Sequence, residues 1–299
     1  MNNYCMLEEK IKYICQCEFR YFFSKCNVVG VGLGYKVKNG FNTFRRCIKI
    51  FVSKKISQND LSSNDMIPKC YNGIETDIVE SGYLSFIKLT EKIRPVLGGY
   101  SIGPAAKIDG GTLGCLVTDN HDNFMLSCNH VLVGGNKVTI GTPILQPSIF
   151  DGGKSPRDIV GSLSEYVLIK EGQDTNYVDC AIARVLNKAN VSSQIALVGK
   201  INGVVKATLN EDVKKVGKTT ELTTGKVTAL NVTVTTGGNT FFKDQIITTK
   251  MSSPGDSGSI LLNSFNYALG LAMCEGETLT CYNNITRVLN SMNVLLVTG

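Results

Sequence analysis

The sequence predicts a mainly β protein with barrel-forming strands, a small α+β unit before them and a helix near the C-terminal end. Short apolar segments recur from residue 96 onward, with turn residues between them. This pattern favours a closed or nearly closed β-barrel. Apolar residues at helical spacing occur near both ends of the chain. The segment Ile93-Arg94-Pro95 interrupts the chain just before the barrel pattern begins.

The first 93 residues predict the α+β unit. Residues 5–26 have apolar side chains at helical spacing, and strand-like segments at 28–35 and 47–52 flank the turn Asn39-Gly40. Alternate glycines in the first segment imitate a dinucleotide-binding loop, but their spacing and their strand-like continuation argue against one. We expect a packed unit whose role the sequence does not give. The helical apolar positions are Leu7, Ile11, Ile14, Phe19, Phe22 and Cys26.

The barrel strands are expected in two sets. Apolar residues after the last strand recur at helical spacing from Ile285 to Met292, and either Asn283 or Asn284 can cap that helix. The first set of strands is expected at residues 112–118, 124–128, 137–145, 158–169 and 177–185, and the second at 213–217, 226–234, 241–249, 259–262 and 268–273.

Composition narrows the classes of partner. With 299 residues, 43% of them hydrophobic, the chain can bury a substantial core and has room for two or three compact units. The net charge of +6 comes from scattered lysines, which favours acidic partners weakly. No basic cluster is interleaved with aromatic residues, so nucleic acid is not an expected partner.

Cysteine and histidine counts predict the cellular compartment and the metal content. Eleven cysteines, an odd number, occur without an apolar segment of signal length before Glu8, Glu9 and Lys10. No stretch approaches the length of a membrane span. We therefore expect a cytoplasmic protein with free thiols. Cys15 and Cys17 lack metal-ligand spacing and the chain has two histidines, so we expect no metal and no cofactor.

A serine in a glycine-rich turn is the candidate nucleophile. Ser257 lies in the segment Pro254-Gly255-Asp256-Ser257-Gly258-Ser259. Glycines on both sides permit a tight bend, and the amides of Gly255 and Ser257 are free to converge on an oxyanion. The alternative is an ordinary polar loop between two strands, because glycine, proline, aspartate and serine are common turn residues.

The candidate base and acid lie upstream. His121 is in a polar segment that predicts a hairpin tip, whereas His130 follows an apolar strand, where a rigid scaffold can present a general base. Its alternative is a histidine satisfied within the core. Asp179 opens an apolar segment, where a carboxylate needs a cationic or donating partner. We expect it to orient the imidazole.

The order His130, Asp179, Ser257 is that of chymotrypsin-like enzymes, and Ser259 departs from a nucleophile elbow. The segments 126–132, 178–181 and 255–259 resemble the three catalytic blocks of trypsin-like serine peptidases. The closest resemblance is to the narrow-leaf type peptidases of plants and their bacterial counterparts. Its further motifs are Arg94-Pro95-Val96-Leu97-Gly98-Gly99-Tyr100-Ser101-Ile102-Gly103, Gly111-Thr112-Leu113-Gly114-Cys115, Gln146-Pro147 with Asp151-Gly152-Gly153, and Val216-Gly217-Lys218-Thr219-Thr220 with Thr223-Thr224-Gly225.

This resemblance implies a chymotrypsin-like double β-barrel with the site in the cleft between two six-stranded barrels. We expect the N-terminal unit at residues 1–93, the first barrel with His130 and Asp179 at 94–186, and the second with Ser257 and the C-terminal helix at 187–299. The implied activity is a serine endopeptidase working through an acyl-enzyme on a restricted intracellular protein substrate. The alternatives are a catalytically silent or latent scaffold that binds proteins, and an esterase. Oligomers are possible.

The resemblance also implies a specificity pocket and raises a question about Asp256. The residue six positions before the nucleophile is Met251, which favours an apolar or small residue before the scissile bond. The pocket wall is expected at Met273, Cys274 and Glu275, and Glu275 can attract a basic residue. In trypsin zymogens a released N-terminus pairs with the acid before the nucleophile. Here that requires cleavage before Val96, so the partner of Asp256 stays open.

Overall fold

Two units make up the chain, Met1–Ile87 and Lys88–Gly299, called here the N-terminal and C-terminal units. The structure is a computed structural model that describes residues 3–84, 88–172, 175–237 and 239–298. All eleven cysteines are free thiols. No described helix has both the length and the apolar character needed to cross a membrane.

The N-terminal unit is a four-stranded sheet with helices packed on it. The sheet has the order β1-β2-β4-β3, with β1 and β2 antiparallel and β2 and β4 parallel. The buried core includes Ile11, Ile14 and Phe22 from the helices. The elements are α1 (Asn3–Cys17), α2 (Phe19–Phe23), β1 (Val28–Lys38), β2 (Phe41–Val52), β3 (Cys70–Tyr71) and β4 (Ile74–Glu80), with a 3-10 turn at Gln58–Asp60.

Two local features differ in how well the pattern predicted them. The single helix expected at residues 5–26 was wrong in extent, because Glu18 leaves helical geometry (φ −109°, ψ 9°) and separates α1 from α2. The turn at Asn39 and Gly40 joins β1 and β2 with φ values of 52° and 81°. Positive φ at both positions is typical of a two-residue hairpin turn, for which Asn-Gly is the preferred pair.

The C-terminal unit contains two large sheets and two short helices. Its helices are α3 (Asn129–Leu132) and α4 (Ile285–Ser291). Its strands are β5 (Val96–Gly98), β6 (Ser101–Pro104), β7 (Gly111–Thr112), β8 (Cys115–Thr118), β9 (Asn123–Ser127), β10 (Pro143–Leu145), β11 (Ile159–Tyr166), β12 (Thr175–Asn176), β13 (Ala181–Val185), β14 (Val191–Ile195), β15 (Gly203–Val204), β16 (Asp212–Gly217), β17 (Glu221–Thr235), β18 (Phe241–Thr249), β19 (Ile260–Asn263), β20 (Tyr267–Glu275), β21 (Leu279–Asn284) and β22 (Leu295–Leu296); 3-10 turns lie at Ile149–Asp151 and Lys188–Asn190.

The two sheets close differently. The first has the order β22-β8-β9-β13-β11-β10-β6-β7, a path of eight described strands. In the second, β21 pairs with both β18 and β20, so the strands β16 to β21 form a six-membered ring. Two short strands cross between the halves of the chain, since β12 pairs with β18 and β22 pairs with β8. Each half of the unit thus contributes to the other's sheet.

The expected strands are present with changed bounds. The strand expected at residues 137–145 is limited to β10, because Gly141 has a φ of 89° and interrupts the extended backbone. Strand β21 was not expected, although it closes the ring of the second sheet. Asn284 is the cap of α4, where its Oδ1 accepts a hydrogen bond from Thr286 N at 3.0 Å.

A large core is shared by the two sheets, and smaller clusters lie within the second sheet. The larger core contains buried residues of the first sheet together with Ile285, Val288 and Leu289 of α4. Residues inside the ring of the second sheet form a smaller cluster that includes Tyr282 and Met251. Helix α4 therefore packs its apolar face against the core that includes the first sheet.

Candidate active site

His130 is presented by the one-turn helix α3 directly after the buried strand β9. The preceding residue, Asn129, is fully buried and fixes this turn. Its Nδ2 donates to Val167 O at 2.7 Å and to Asn136 Oδ1 at 2.8 Å. The His130 side chain remains 38% exposed. His121, by contrast, is exposed at the turn between β8 and β9.

Asp179 lies against His130 and is nearly buried. Its Oδ2 is 2.5 Å from His130 Nδ1, and its Oδ1 accepts a hydrogen bond from His130 N at 3.1 Å. The side chain is 4% exposed. Asn283, on β21 of the other sheet, accepts from Asp179 N at 3.0 Å and donates to Asp179 O at 3.3 Å. The acid therefore has a fixed backbone as well as a fixed carboxylate.

The charge of His130 depends on this contact. Burial by itself disfavours the imidazolium, but the charge and the hydrogen bond of Asp179 outweigh burial, so the pKa of His130 is raised above its ordinary value of 6.5. An imidazole bonded through Nδ1 to a carboxylate can accept a proton on its other nitrogen, and the carboxylate stabilises the resulting cation.

Ser257 and His130 line the same cavity, which has a volume of about 310 Å³. The Ser257 hydroxyl donates to Met273 O at 3.3 Å. The loop that carries the serine is held by Thr112 of β7, whose N donates to Ser257 O at 2.9 Å and whose Oγ1 donates to Gly255 O at 2.8 Å. A residue of the first sheet thus fixes the loop of the second.

Two backbone amides of this loop are available to a ligand. Among the described residues, the amides of Gly255 and Ser257 have no protein acceptor, whereas Asp256 N and Gly258 N donate to backbone carbonyls at 3.0 and 2.8 Å. Gly255 has a φ of 102°, and a Cβ there would lie 2.4 Å from Thr219 Oγ1. This glycine is therefore required by both backbone geometry and space. Free amides at such a turn are suited to binding an oxyanion.

Asp256 pairs with a buried lysine. Lys215 Nζ is 3.0 Å from Asp256 Oδ2, and both side chains have 0% exposure. Burial alone raises the pKa of Asp256, but the charge of Lys215 and the hydrogen bond from Thr220 Oγ1 outweigh it, so this pKa is lowered. Val96, the alternative N-terminal partner, is instead fully buried within β5. Lys215 is therefore the partner of Asp256, which the sequence did not identify.

The four residues expected at the specificity pocket do not all line the cavity. Met273, Cys274 and Glu275 do, and they come from the end of β20. Met251 is 3% exposed and packs inside the ring of the second sheet, where Tyr282 Oη contacts its sulfur at 3.9 Å. The end of β20 therefore supplies one side of the cavity, and the other lining residues come from α3, the serine loop and the segment before β7.

One group of side chains in the described part of the chain has metal-ligand geometry. The ligand atoms of Cys128, His130 and Asp179 lie within 4.8 Å of one another. Two of them already bond to each other, and Cys128 Sγ donates to Ala272 O at 3.1 Å. Burial also raises the pKa of Cys128 well above its ordinary value, which opposes the thiolate that a metal requires. The group is better explained as a hydrogen-bonded support for His130.

Three supporting residues were not expected from the sequence. Lys215 alternates with Val213 and Gly217 along β16, and a lysine on the inward face of a strand indicates a buried acidic partner. Thr112 and Asn283 gave no such signal, because their partners are far away in the sequence and polar residues of these types are common in strands and caps.

Comparison with known proteins agrees with this architecture. Residues 13–79 match the family described as the NARROW LEAF 1 N-terminal domain. No curated protein sequence matches the chain. Among solved structures, protease A of Thermobifida fusca is 20% identical, with 68% of this chain and 99% of that chain covered and a TM-score of 0.52.

Two further solved structures are similar over the same extent. A serine protease specific for glutamic acid, described as using a novel histidine triad in substrate binding, is 25% identical (68% and 100% covered, TM-score 0.53). The chymotrypsin of Cellulomonas bogoriensis is 22% identical (68% and 99% covered, TM-score 0.50). The chain therefore contains the double β-barrel fold of chymotrypsin-like serine proteases, as the family resemblance implied.

Proposed function

We propose that the protein is a serine endopeptidase that uses His130, Asp179 and Ser257. The observation that supports this most directly is the cavity lined by both His130 and Ser257, with Asp179 bonded to the far nitrogen of the imidazole. The two unoccupied amides beside the serine add the second requirement of acyl transfer, a site for the developing oxyanion.

The proposed reaction follows from these positions. Ser257 Oγ turns from Met273 O toward His130 and attacks the peptide carbonyl while the imidazole takes its proton. Asp179 stabilises the imidazolium, and the amides of Gly255 and Ser257 bind the oxyanion. The imidazolium then protonates the leaving amine, and water releases the acyl group by the reverse sequence of proton transfers.

A second candidate is a latent or silent scaffold that binds proteins. It is favoured by one observation, the hydrogen bond from Ser257 Oγ to Met273 O. Catalytic hydrogen bonds often form only when substrate is bound, so this bond is also compatible with an active enzyme. An esterase is the third candidate, because the same groups can act on less demanding acyl compounds.

We further propose that the chain is related to the narrow-leaf peptidases and acts on a restricted protein substrate in the cytoplasm. The match at residues 13–79 supports this relationship, as do the glycine motifs of the barrels. The absence of a basic patch interleaved with aromatic residues in the sequence supports a protein or peptide substrate over nucleic acid.

Specificity is proposed for an apolar or small residue before the scissile bond. Met273 and Cys274 give the cavity an apolar wall, whereas Glu275 and Asp109 bring two carboxylates to its lining. The histidine triad described for the protease specific for glutamic acid cannot form here, because this chain has two histidines and one of them is the proposed base. Strict cleavage after arginine or lysine in a peptide library would contradict the proposal.

The test is covalent labelling by a fluorophosphonate, followed by intact mass. We expect one adduct on the native protein and on Ser253→Ala, a control from the same loop, and none on Ser257→Ala or His130→Ala. Ser257→Ala should also lower peptide turnover by about a millionfold. A folded native protein without adduct would favour the binding scaffold. Labelling with ester turnover but no peptide cleavage would favour the esterase.

A further inference from the structure

Two free thiols meet at the wall of the candidate active-site cavity. Cys274 lines the cavity and is half-buried, while Cys281 is 1% exposed. The two residues are register partners on the antiparallel strands β20 and β21. Opposed residues on such strands have Cα atoms about 4.5–5.5 Å apart, within the range of about 4.4–6.8 Å found for disulfides.

The environments of the two thiols differ. A hydrogen bond with Cys281 lowers the pKa of Cys274 and outweighs burial and the charge of Glu275, which act in the opposite direction. The same hydrogen bond raises the pKa of Cys281. The thiol that faces the cavity is therefore the more readily ionised one, and the thiolate is the form that reacts with oxidants.

We propose that Cys274 and Cys281 are a redox modification site at which a peroxide produces a disulfide between neighbouring strands. The Cys274 thiolate attacks a peroxide oxygen, the O–O bond breaks, and a sulfenic acid and water form. The sulfur of Cys281 then attacks the sulfenic sulfur, the S–O bond breaks, and a second water leaves. The two thiols lose two electrons and two protons, and hydrogen peroxide is reduced to two waters.

The disulfide changes the wall that substrate contacts. The register of β20 against β21 is irregular between Ala272 and Cys274, at the position of Met273. Met273 O is the acceptor of the Ser257 hydroxyl. A covalent bond one residue away fixes this irregular segment and removes a thiol from the cavity. This effect on turnover rests on the proposed peptidase function, whereas formation of the disulfide does not.

Cys128 and Cys180 are also buried beside the proposed triad but differ from this pair, and burial raises the pKa of Cys180 above its ordinary value. Cys128 is fully buried, donates to Ala272 O at 3.1 Å and has its pKa raised well above the ordinary value by burial. The Cys128 thiol is therefore protonated, and its hydrogen already bonds to a backbone carbonyl. Cys70 is exposed in the N-terminal unit and provides a control for oxidation away from the cavity.

The experiment treats the full-length protein with hydrogen peroxide and maps disulfides by peptide mass. We expect a crosslink between Cys274 and Cys281 with a loss of about 2 Da that a thiol reductant reverses. Peptide kcat/KM should fall about tenfold and recover on reduction. Cys70→Ser should behave as the native protein does. Cys281→Ser should stop at a sulfenic acid on Cys274 that dimedone traps.

The outcomes separate the two proposals. A crosslink to Cys128, or no oxidation of Cys274 in folded native protein, would overturn the modification site. A mapped crosslink with unchanged turnover would overturn its effect on the cavity. If Cys281→Ser does not fold, Cys274→Ser tests the same crosslink from the other side. If the reduced native protein is not labelled by the fluorophosphonate, the result counts against the peptidase. The disulfide map still tests the modification site in that case.

Discussion

Two buried aspartates of the C-terminal unit have partners of opposite kinds. Asp179 contacts His130, whose side chain is 38% exposed and faces a cavity. Asp256 contacts Lys215, and neither side chain of that pair is exposed. The first pair can exchange a proton with a bound molecule, whereas the second is sealed from solvent.

The hydrogen bonds of the two carboxylates explain the difference. Asp179 accepts bonds from two atoms of His130, which leaves the other ring nitrogen directed elsewhere. Asp256 accepts from five donor atoms among the described residues, which belong to Lys215, Thr219, Thr220 and Ser253. A carboxylate with so many donors holds a loop in place. A buried acid therefore acts in chemistry or in architecture according to whether its partner reaches the cavity.

The largest expected effect is on the exposed pair. Asp179→Asn should lower kcat by about ten-thousandfold, because the amide favours the wrong imidazole tautomer. The thermal midpoint of unfolding should change little, since the shape of the side chain is kept. Steady-state kinetics and calorimetry on the same preparation test both points. A loss smaller than tenfold would remove Asp179 from the proposed triad.

The sealed pair should respond in stability. Lys215→Met leaves the Asp256 charge buried without its cation and should lower the free energy of unfolding by about 3–5 kcal/mol. Lys214→Met, on the partly exposed neighbour in β16, should change it by about 0.5 kcal/mol or less. Urea denaturation compares the two variants. Equal stability of both proteins would mean that the Lys215 pair does not hold the loop.

Acid should affect the two pairs at different pH. The pKa of His130 is raised, so the neutral imidazole needed by a base is lost as the pH falls through a value above 6.5. The pKa of Asp256 is lowered from 3.8, so its contribution to stability is present above 3.8 and is lost only as the pH falls through that lower value. Profiles of kcat/KM and of unfolding against pH should therefore have separate acid limbs; coinciding limbs would show that activity is lost through unfolding.

The smallest effect is expected where one sheet supports the acid of the other. Asn283→Ala removes the bonds to Asp179 N and O and should lower kcat by about tenfold, with KM unchanged. Asn284→Ala removes only the helix cap and should cost about 1 kcal/mol of stability without changing kcat. Kinetics of these neighbouring variants test whether position, rather than general stability, is what Asn283 supplies.

Local sequence patterns were sufficient for most secondary-structure elements and for proposing candidate side chains of the site. The turn at Asn39 and Gly40, the expected strands of both sheets and a cap at Asn283 or Asn284 follow from local rules, because each depends on residues close together in the chain. Strand β21 was not found in this way. The double-barrel fold needed the family resemblance as well, since strand pairing across 100 residues leaves no local periodicity.

The contacts that support the site were beyond such rules. Asn283 lies 104 residues from Asp179, and Thr112 lies 143 residues from Gly255. Neither spacing selects a partner until the sheets are assembled. Met251 illustrates the same limit, because counting back from the serine gives a position in the chain but does not say whether the side chain faces the cavity or the core.

The lysine beside Asp256 also determines when the serine loop can form. Its counter-charge belongs to β16 of the same fold and requires no newly cut chain end. The counter-charge of Asp256 is therefore in place once β16 and the serine loop have come together. The ion pair that holds the loop of the proposed nucleophile therefore belongs to the fold itself and needs no cleavage of the chain.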